Sequence, residues 1–219
     1  MKPWRTLATA TRAKSTFTLK ERDGEFLVQV DGKVLMGSRR HGSEDALATV
    51  GLEYLRKGSP RVLVGGLGFG YTLRAALDVL PAGATVVVAE LAQAIVAWNR
   101  EFVGGLAGHP LDDRRVSIEV DDVNVILAEA DPFDAILLDV DNGPVAVTQK
   151  KNRNLYDTAG VKLCQRALNP GGRLVVWSAG FDPRYERTLA AAGFSVQVRP
   201  VSGEERSQHV LFIADKRGK

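Results

Sequence analysis

The chain alternates short apolar runs with stretches whose apolar residues recur at helical spacing. Seven runs have the length and composition of strands: 61–65, 84–89, 115–120, 134–139, 172–178, 194–199 and 208–214. Helical spacing occupies five stretches between them: about 71–80, 91–103, a stretch ending at 130, 156–168 and 183–192. Strands and helices that alternate in this way predict a doubly wound, mostly parallel sheet with helices on both faces.

The last two strands are connected differently. Between 194–199 and 208–214 the connection is built around Ser202-Gly203-Glu204 and is too short for a helical crossover, so this pair is predicted to be antiparallel. A seven-stranded, mostly parallel sheet with a terminal antiparallel strand is typical of the Rossmann-type, class I methyltransferase-like fold. We predict this α/β fold for the chain.

The first 42 residues have the pattern of a small antiparallel appendage. Three runs, 16–20, 25–30 and 33–36, are separated by Asp23-Gly24 and Asp31-Gly32, which are strong hairpin signals. We expect 1–14 to be a solvated tail. The predicted domains are therefore a tail with a β-hairpin appendage at 1–42 and a class I methyltransferase-like catalytic domain at 43–219.

A glycine-rich loop follows the first strand of the predicted parallel sheet. Gly66, Gly68 and Gly70 read G-x-G-x-G, and Glu90 ends the next strand, where a carboxylate can accept hydrogen bonds from both hydroxyls of a ribose. The dinucleotide fingerprint has its third glycine one place later, where Tyr71 stands. The spacing therefore favours an adenosyl sulfonium of the S-adenosylmethionine type over NAD or FAD, with a tight turn that binds nothing as the alternative.

Further candidate contacts lie just beyond the other strands, because ligands of open α/β sheets bind at the carboxyl ends of the strands. Asp121 is placed to accept from an adenine amino group, with Leu91 and Val140 as apolar walls for the ring. Asp122 is either a second contact or the cap of the following helix.

The turn Asp139-Val140-Asp141-Asn142-Gly143-Pro144 ends the fourth strand of the parallel sheet. An amine nucleophile must lose a proton before it attacks, so Asp139 is predicted as the catalytic base and Asp141 as a catalytic group that binds a cationic acceptor. A nearby sulfonium would lower the pKa of Asp139 and favour a charge-stabilising role. Turn formation alone is the other interpretation of these residues. We predict that Glu44, Asn142 and Tyr156 line the acceptor pocket; Tyr156 alternatively only packs.

Composition excludes several classes of function. A net charge of +3, with basic residues scattered along the chain, argues against binding of nucleic acid, and the single cysteine, Cys164, excludes a disulfide framework. No apolar run reaches the length of a membrane span, and the three histidines lack the spacing of metal ligands. We therefore expect a soluble, cytoplasmic protein that binds neither a membrane nor a metal.

With these motifs in place, the chain resembles the spermidine synthase family, the polyamine aminopropyltransferases. The resemblance runs from about Phe17 to Ala214 and is carried by the hairpins, the glycine loop, Glu90 and the acidic turn at Asp139. It implies a class I transferase fold, decarboxylated S-adenosylmethionine as donor and a putrescine-like acceptor. It also implies a homodimer or homotetramer built partly through the appendage.

The chain departs from the family pattern in the acidic turn. The family reads D-x-x-D-P, whereas here the second acid is displaced by one place, at Asp141. The loop from Val145 to Asn154 also carries Lys150, Lys151 and Arg153, which would welcome an acidic acceptor. Aminopropyl transfer to a polyamine or other amine is therefore the first hypothesis. S-adenosylmethionine-dependent methyl transfer to a small molecule is the second, and a non-catalytic nucleoside-binding paralogue is the third.

Overall fold

The computed structural model describes residues 2–39, 41–140, 143–144, 153–201 and 209–218. Asp141 and Asn142 therefore lie outside the described residues, as do the cations Lys150 and Lys151 of the predicted basic loop. The rest of the predicted site lies within them.

The appendage is an antiparallel sheet of four strands in the order of the chain. Its strands are β1 Arg5–Arg12, β2 Ser15–Arg22, β3 Glu25–Val30 and β4 Lys33–Gly37. Both predicted turns are confirmed, and all four of their residues have positive φ, between 50° and 79°. The expected solvated tail is wrong, because β1 pairs with β2 from Arg5 to Arg12, with one shift of register between Thr6 and Ala8. Its alternation of Thr and Ala offers little apolar surface, so it gave no strand signal.

The second sheet confirms the predicted fold class. Its seven strands are β5 Arg61–Gly65, β6 Thr85–Ala89, β7 Val116–Glu119, β8 Phe133–Leu138, β9 Leu168–Ser178, β10 Phe194–Pro200 and β11 Val210–Lys216. They lie in the order β10-β11-β9-β8-β5-β6-β7, and only β11 runs against its neighbours. The carboxyl ends of β5, β6 and β8 therefore meet at one edge.

Helices cover both faces of this sheet, and each face has its own apolar core. They are α1 Gly42–Leu52, α2 Tyr71–Val79, α3 Gln93–Trp98, α4 Val123–Glu129, α5 Arg153–Tyr156, α6 Thr158–Arg166 and α7 Pro183–Ala191. Helix α1 lies directly on the sheet, because a Cβ atom at Gly51 would collide with Leu137 and would come within 3.3 Å of Val175. No described helix is long and apolar enough to span a membrane.

The stretch 91–103 is not the single α-helix that its spacing predicts. After α3 the chain forms a π-helical turn at Asn99–Val103, followed by 3₁₀ turns at Gly104–Ala107 and Pro110–Asp112. His109, between the 3₁₀ turns, has a left-handed φ of 53°, which is unusual for a residue other than glycine. The π-helical turn is notable because such turns are frequent at functional sites.

Candidate active site

The glycine loop is held tightly between the ends of three strands. The Gly66 amide donates to the Ala89 carbonyl at 2.8 Å, and the Asp139 amide donates to the Gly65 carbonyl at 2.9 Å. Gly66 has a φ of 93°, and a Cβ atom there would collide with the Asp139 carbonyl oxygen. The loop therefore requires glycine at this position for both conformation and space.

Glu90 lies at the end of β6 and binds the glycine loop through its side chain. One carboxylate oxygen accepts from the Leu67 amide at 3.0 Å, and the other accepts from the Ala92 amide at 2.8 Å. Burial raises the pKa of Glu90 above its ordinary value, while these amides oppose the shift. A carboxylate has about four lone-pair sites, so these amides do not use its full capacity to accept hydrogen bonds.

Asp139 lies beside the glycine loop at the end of β8. Its carboxylate accepts a hydrogen bond from the Thr72 hydroxyl, at the start of α2, at 2.8 Å. Burial raises the pKa of Asp139 to about 7, helped by the negative charge of Glu44 and opposed by the Thr72 hydrogen bond. The group therefore exchanges a proton near neutral pH, which is the property that a general base needs.

The acids after β7 differ in their surroundings. The Asp122 carboxylate accepts from the Asn124 amide at 2.9 Å and caps α4, which is the structural role weighed for it. Asp121 is exposed, and its carboxylate accepts from the Asp122 amide at 2.6 Å. Leu91 and Val140 both remain partly exposed, at the ends of β6 and β8. Contact of these residues with an adenine ring stays a prediction.

The predicted acceptor residues separate into two groups. Glu44, in the first turn of α1, is close enough to raise the pKa of Asp139, and it accepts from the Ser43 hydroxyl at 2.6 Å. Tyr156 is buried, and its hydroxyl donates to the Val140 carbonyl at 2.9 Å. This hydrogen bond fixes the backbone directly after Asp139. The packing role of Tyr156 is thus visible, whereas a lining role stays a prediction.

Two polar residues at this site were missed from the sequence. Thr72 looked like an ordinary helix residue, but it is buried and bound to Asp139. Asn99 is also buried, and its amide nitrogen donates to the Gly68 carbonyl at 2.8 Å. An asparagine within a helical stretch was the available signal, because Asn disfavours helix interiors.

We expect Asn99→Asp to weaken donor binding by about tenfold, because a carboxylate oxygen would then face the Gly68 carbonyl and loosen the loop. Calorimetry measures the affinity for methylthioadenosine, the nucleoside that the predicted donor would leave after transfer. Arg100→Ala is the control, because Arg100 is the exposed neighbour on the same π-helical turn. Equal affinity in Asn99→Asp and the wild-type protein would show that the loop does not depend on this hydrogen bond.

A separate depression lies at another edge of the described structure. A depression of about 630 Å³ at the amino ends of β6 and β7 is lined by the Asp113–Arg115 ion pair, away from the glycine loop. Among the described residues, no three His, Cys, Asp or Glu side chains are grouped as a metal would require.

Comparison with known proteins gives a consistent picture. A spermine/spermidine synthase domain matches residues 40–191, a range that contains the glycine loop, Glu90 and Asp139. No curated protein matches the chain by sequence.

Solved spermidine synthases share the fold at 17% identity, and each match covers 98% of this chain. A spermidine synthase in complex with the transition state analogue AdoDATO has a TM-score of 0.74, with 73% of that chain covered. The enzyme from Thermotoga maritima gives 0.75 and 74%, and a probable spermidine synthase from Corynebacterium glutamicum gives 0.67 and 81%.

Proposed function

This chain belongs to the spermine/spermidine synthase family, which makes it a transferase that uses decarboxylated S-adenosylmethionine, and we propose from this premise that it moves the aminopropyl group to an amine acceptor. One observation carries the proposal. A partly buried carboxylate, Asp139, lies next to the glycine loop with its pKa raised to about 7 by desolvation, and a second acid, Glu44, is close by.

In the proposed complex the glycine loop and Glu90 hold the adenosyl group, and the sulfonium faces the end of β8. The amine nitrogen attacks the carbon bound to sulfur, so that a carbon–nitrogen bond forms as the carbon–sulfur bond breaks. The bonding electrons return to sulfur and leave neutral methylthioadenosine. The proton lost by the amine goes to Asp139. Alignment of the two reactants is worth about 7–11 kcal/mol of the barrier in well-oriented systems.

The acids also give a reason for the choice of donor. Ordinary S-adenosylmethionine carries a carboxylate that the decarboxylated donor lacks. Near Asp139 and Glu44 this extra negative charge would be repelled unless it were paired with a cation. We therefore propose that the site prefers the decarboxylated form.

Calorimetry tests the function directly, with decarboxylated and ordinary S-adenosylmethionine as ligands, followed by product analysis with an amine panel. Tighter binding of the decarboxylated donor together with an aminopropylated product supports the proposal. Tighter binding of the ordinary donor, with a methylated product, would establish methyl transfer instead. Binding without turnover over the whole panel would establish a nucleoside-binding protein.

We expect Glu44→Gln to move the pH dependence of turnover to lower pH. In the wild-type protein, activity should be lost as pH falls through the pKa of Asp139, because the protonated acid cannot accept a proton. The negative charge of Glu44 raises that pKa, so its removal lets Asp139 ionise at lower pH. The measurement is the acidic limb of kcat/KM for the donor, which reports on the free enzyme. If the acidic limb of the pH profile does not move, a group other than Asp139 controls the loss of activity at low pH.

The assembly and the domain division extend the proposal. We propose a homodimer or homotetramer that forms partly through the appendage, supported by exposed Val34 and Leu35 on its edge strand β4. The boundary between the appendage and the catalytic domain is proposed at 42/43, at the start of α1. Analytical ultracentrifugation of a Val34→Lys variant tests the proposed assembly. We expect loss of the oligomer, because the variant places a charge on the exposed edge strand.

A further inference from the structure

The order of the strands restricts where the acceptor can lie. The glycine loop follows β5, Glu90 follows β6, and both lie on one side of β8. If the donor lies over β5 and β6 with its reacting carbon at Asp139, as the proposed function requires, the space on the other side of β8 remains for the amine. That side is formed by the ends of β9 and β11.

Trp177 lies at the end of β9, beside Asp139. Leu138 pairs in register with Val176, so the next residues, Asp139 and Trp177, are neighbours across the two strands. The extended backbone continues through Asp139, whose amide bonds to the Gly65 carbonyl of β5. The two side chains are therefore adjacent at this edge of the sheet.

Both side chains project toward α1, the helix that carries Glu44. Leu137 and Val175 contact α1 at Gly51, and side chains two positions later in a strand lie on the same face. Asp139 and Trp177 thus share this face, and the apolar cluster beneath α1 includes the partly buried Trp177. Glu44, Asp139 and Trp177 are grouped on one side of the sheet at its carboxyl edge.

We propose that Trp177, with His209, forms the wall of the acceptor site and selects an amine with an aliphatic chain. The ring of His209, directly before β11, packs edge-on against the indole with 4.8 Å between centroids. The turn after Asp139 is fitted to this strand end, because a Cβ atom at Gly143 would collide with the Trp177 carbonyl oxygen. Gly143 and the end of β9 are therefore in close contact.

The chemistry of the wall suits such an amine. The indole face attracts an ammonium group, and its apolar surface covers methylene groups. Within the described part of the chain, the buried indole nitrogen has no hydrogen-bond partner, so packing alone orients the ring. The aromatic face, rather than the N–H group, is therefore the feature that recognises the ligand.

The test measures putrescine binding by calorimetry to the protein saturated with methylthioadenosine. We expect Trp177→Leu, which keeps an apolar side chain but removes the aromatic face, to weaken putrescine binding by about tenfold. Trp177→Phe should stay within about threefold of the wild-type protein, because the ring remains. Methylthioadenosine affinity should be unchanged in both variants, which also shows that they are folded.

Phe181→Ala is the matched control, because this exposed aromatic lies at the same edge but stacks on Phe212, in the core of the opposite face. Unchanged putrescine binding in Trp177→Leu would overturn the inference, and so would an equal loss in Trp177→Phe. Wild-type protein that binds putrescine but forms no aminopropylated product would refute the proposed function and leave the wall supported by the binding data. Wild-type protein that binds no amine would refute both.

Discussion

Asp139→Asn is expected to lower turnover by about 10²–10⁴, the range that a positioned general base contributes. The amide has nearly the same shape and can still accept the Thr72 hydrogen bond through its oxygen. It cannot take the proton of an attacking amine. The loss should therefore appear in kcat, measured at saturating donor, while the affinity for methylthioadenosine stays within about twofold.

The control for Asp139→Asn is Glu129→Gln, which removes an exposed carboxylate at the end of α4 and should leave turnover unchanged. The pH profile gives a second check, because the acidic limb near pH 7 should disappear together with the ionising group. Turnover close to that of the wild-type protein would reduce Asp139 to a turn residue, which is the alternative that its Asp-Asn-Gly-Pro context allows.

The main sheet could be predicted from the sequence because its strands are buried on both faces. Continuous apolar runs such as Val62–Val64 and Ile136–Leu138 are completely covered, so hydrophobicity alone marks them. The missed strand β1 is the opposite case: it lies at the edge of a small sheet, and most of its residues are exposed. Its place is decided by backbone pairing with β2, which leaves little trace in composition.

The site could be predicted where the backbone dictates the residue type. Glycine at 66 and an acid at 90 follow from strand ends that meet at one edge, and the structure brings them together through the Leu67 amide. The spacing of residues along the sequence could not identify Thr72, Asn99 and Trp177, because each of them contacts a residue that is distant in the chain. Asn99, for example, donates to the carbonyl of Gly68, which lies 31 positions earlier in the chain.

Glu90→Ala is expected to weaken donor binding by at least about tenfold, because hydrogen bonds to a charged group contribute about 1.5–3 kcal/mol each. Two effects combine in this loss. The carboxylate is proposed to accept from the ribose hydroxyls, and it also holds the Leu67 and Ala92 amides, which fix the glycine loop. Calorimetry with methylthioadenosine measures the sum, with Glu101→Ala as control because that carboxylate is exposed.

A second ligand separates these effects. Methylthioadenosine and its 2′-deoxy analogue differ only in one hydroxyl, so their difference in affinity reports the hydrogen bond made by that group. In the wild-type protein the analogue should bind about tenfold more weakly, whereas in Glu90→Ala the two ligands should bind alike, because the partner of the hydroxyl is gone. If the difference persists without Glu90, the carboxylate only anchors the loop, and the ribose must be recognised by another group.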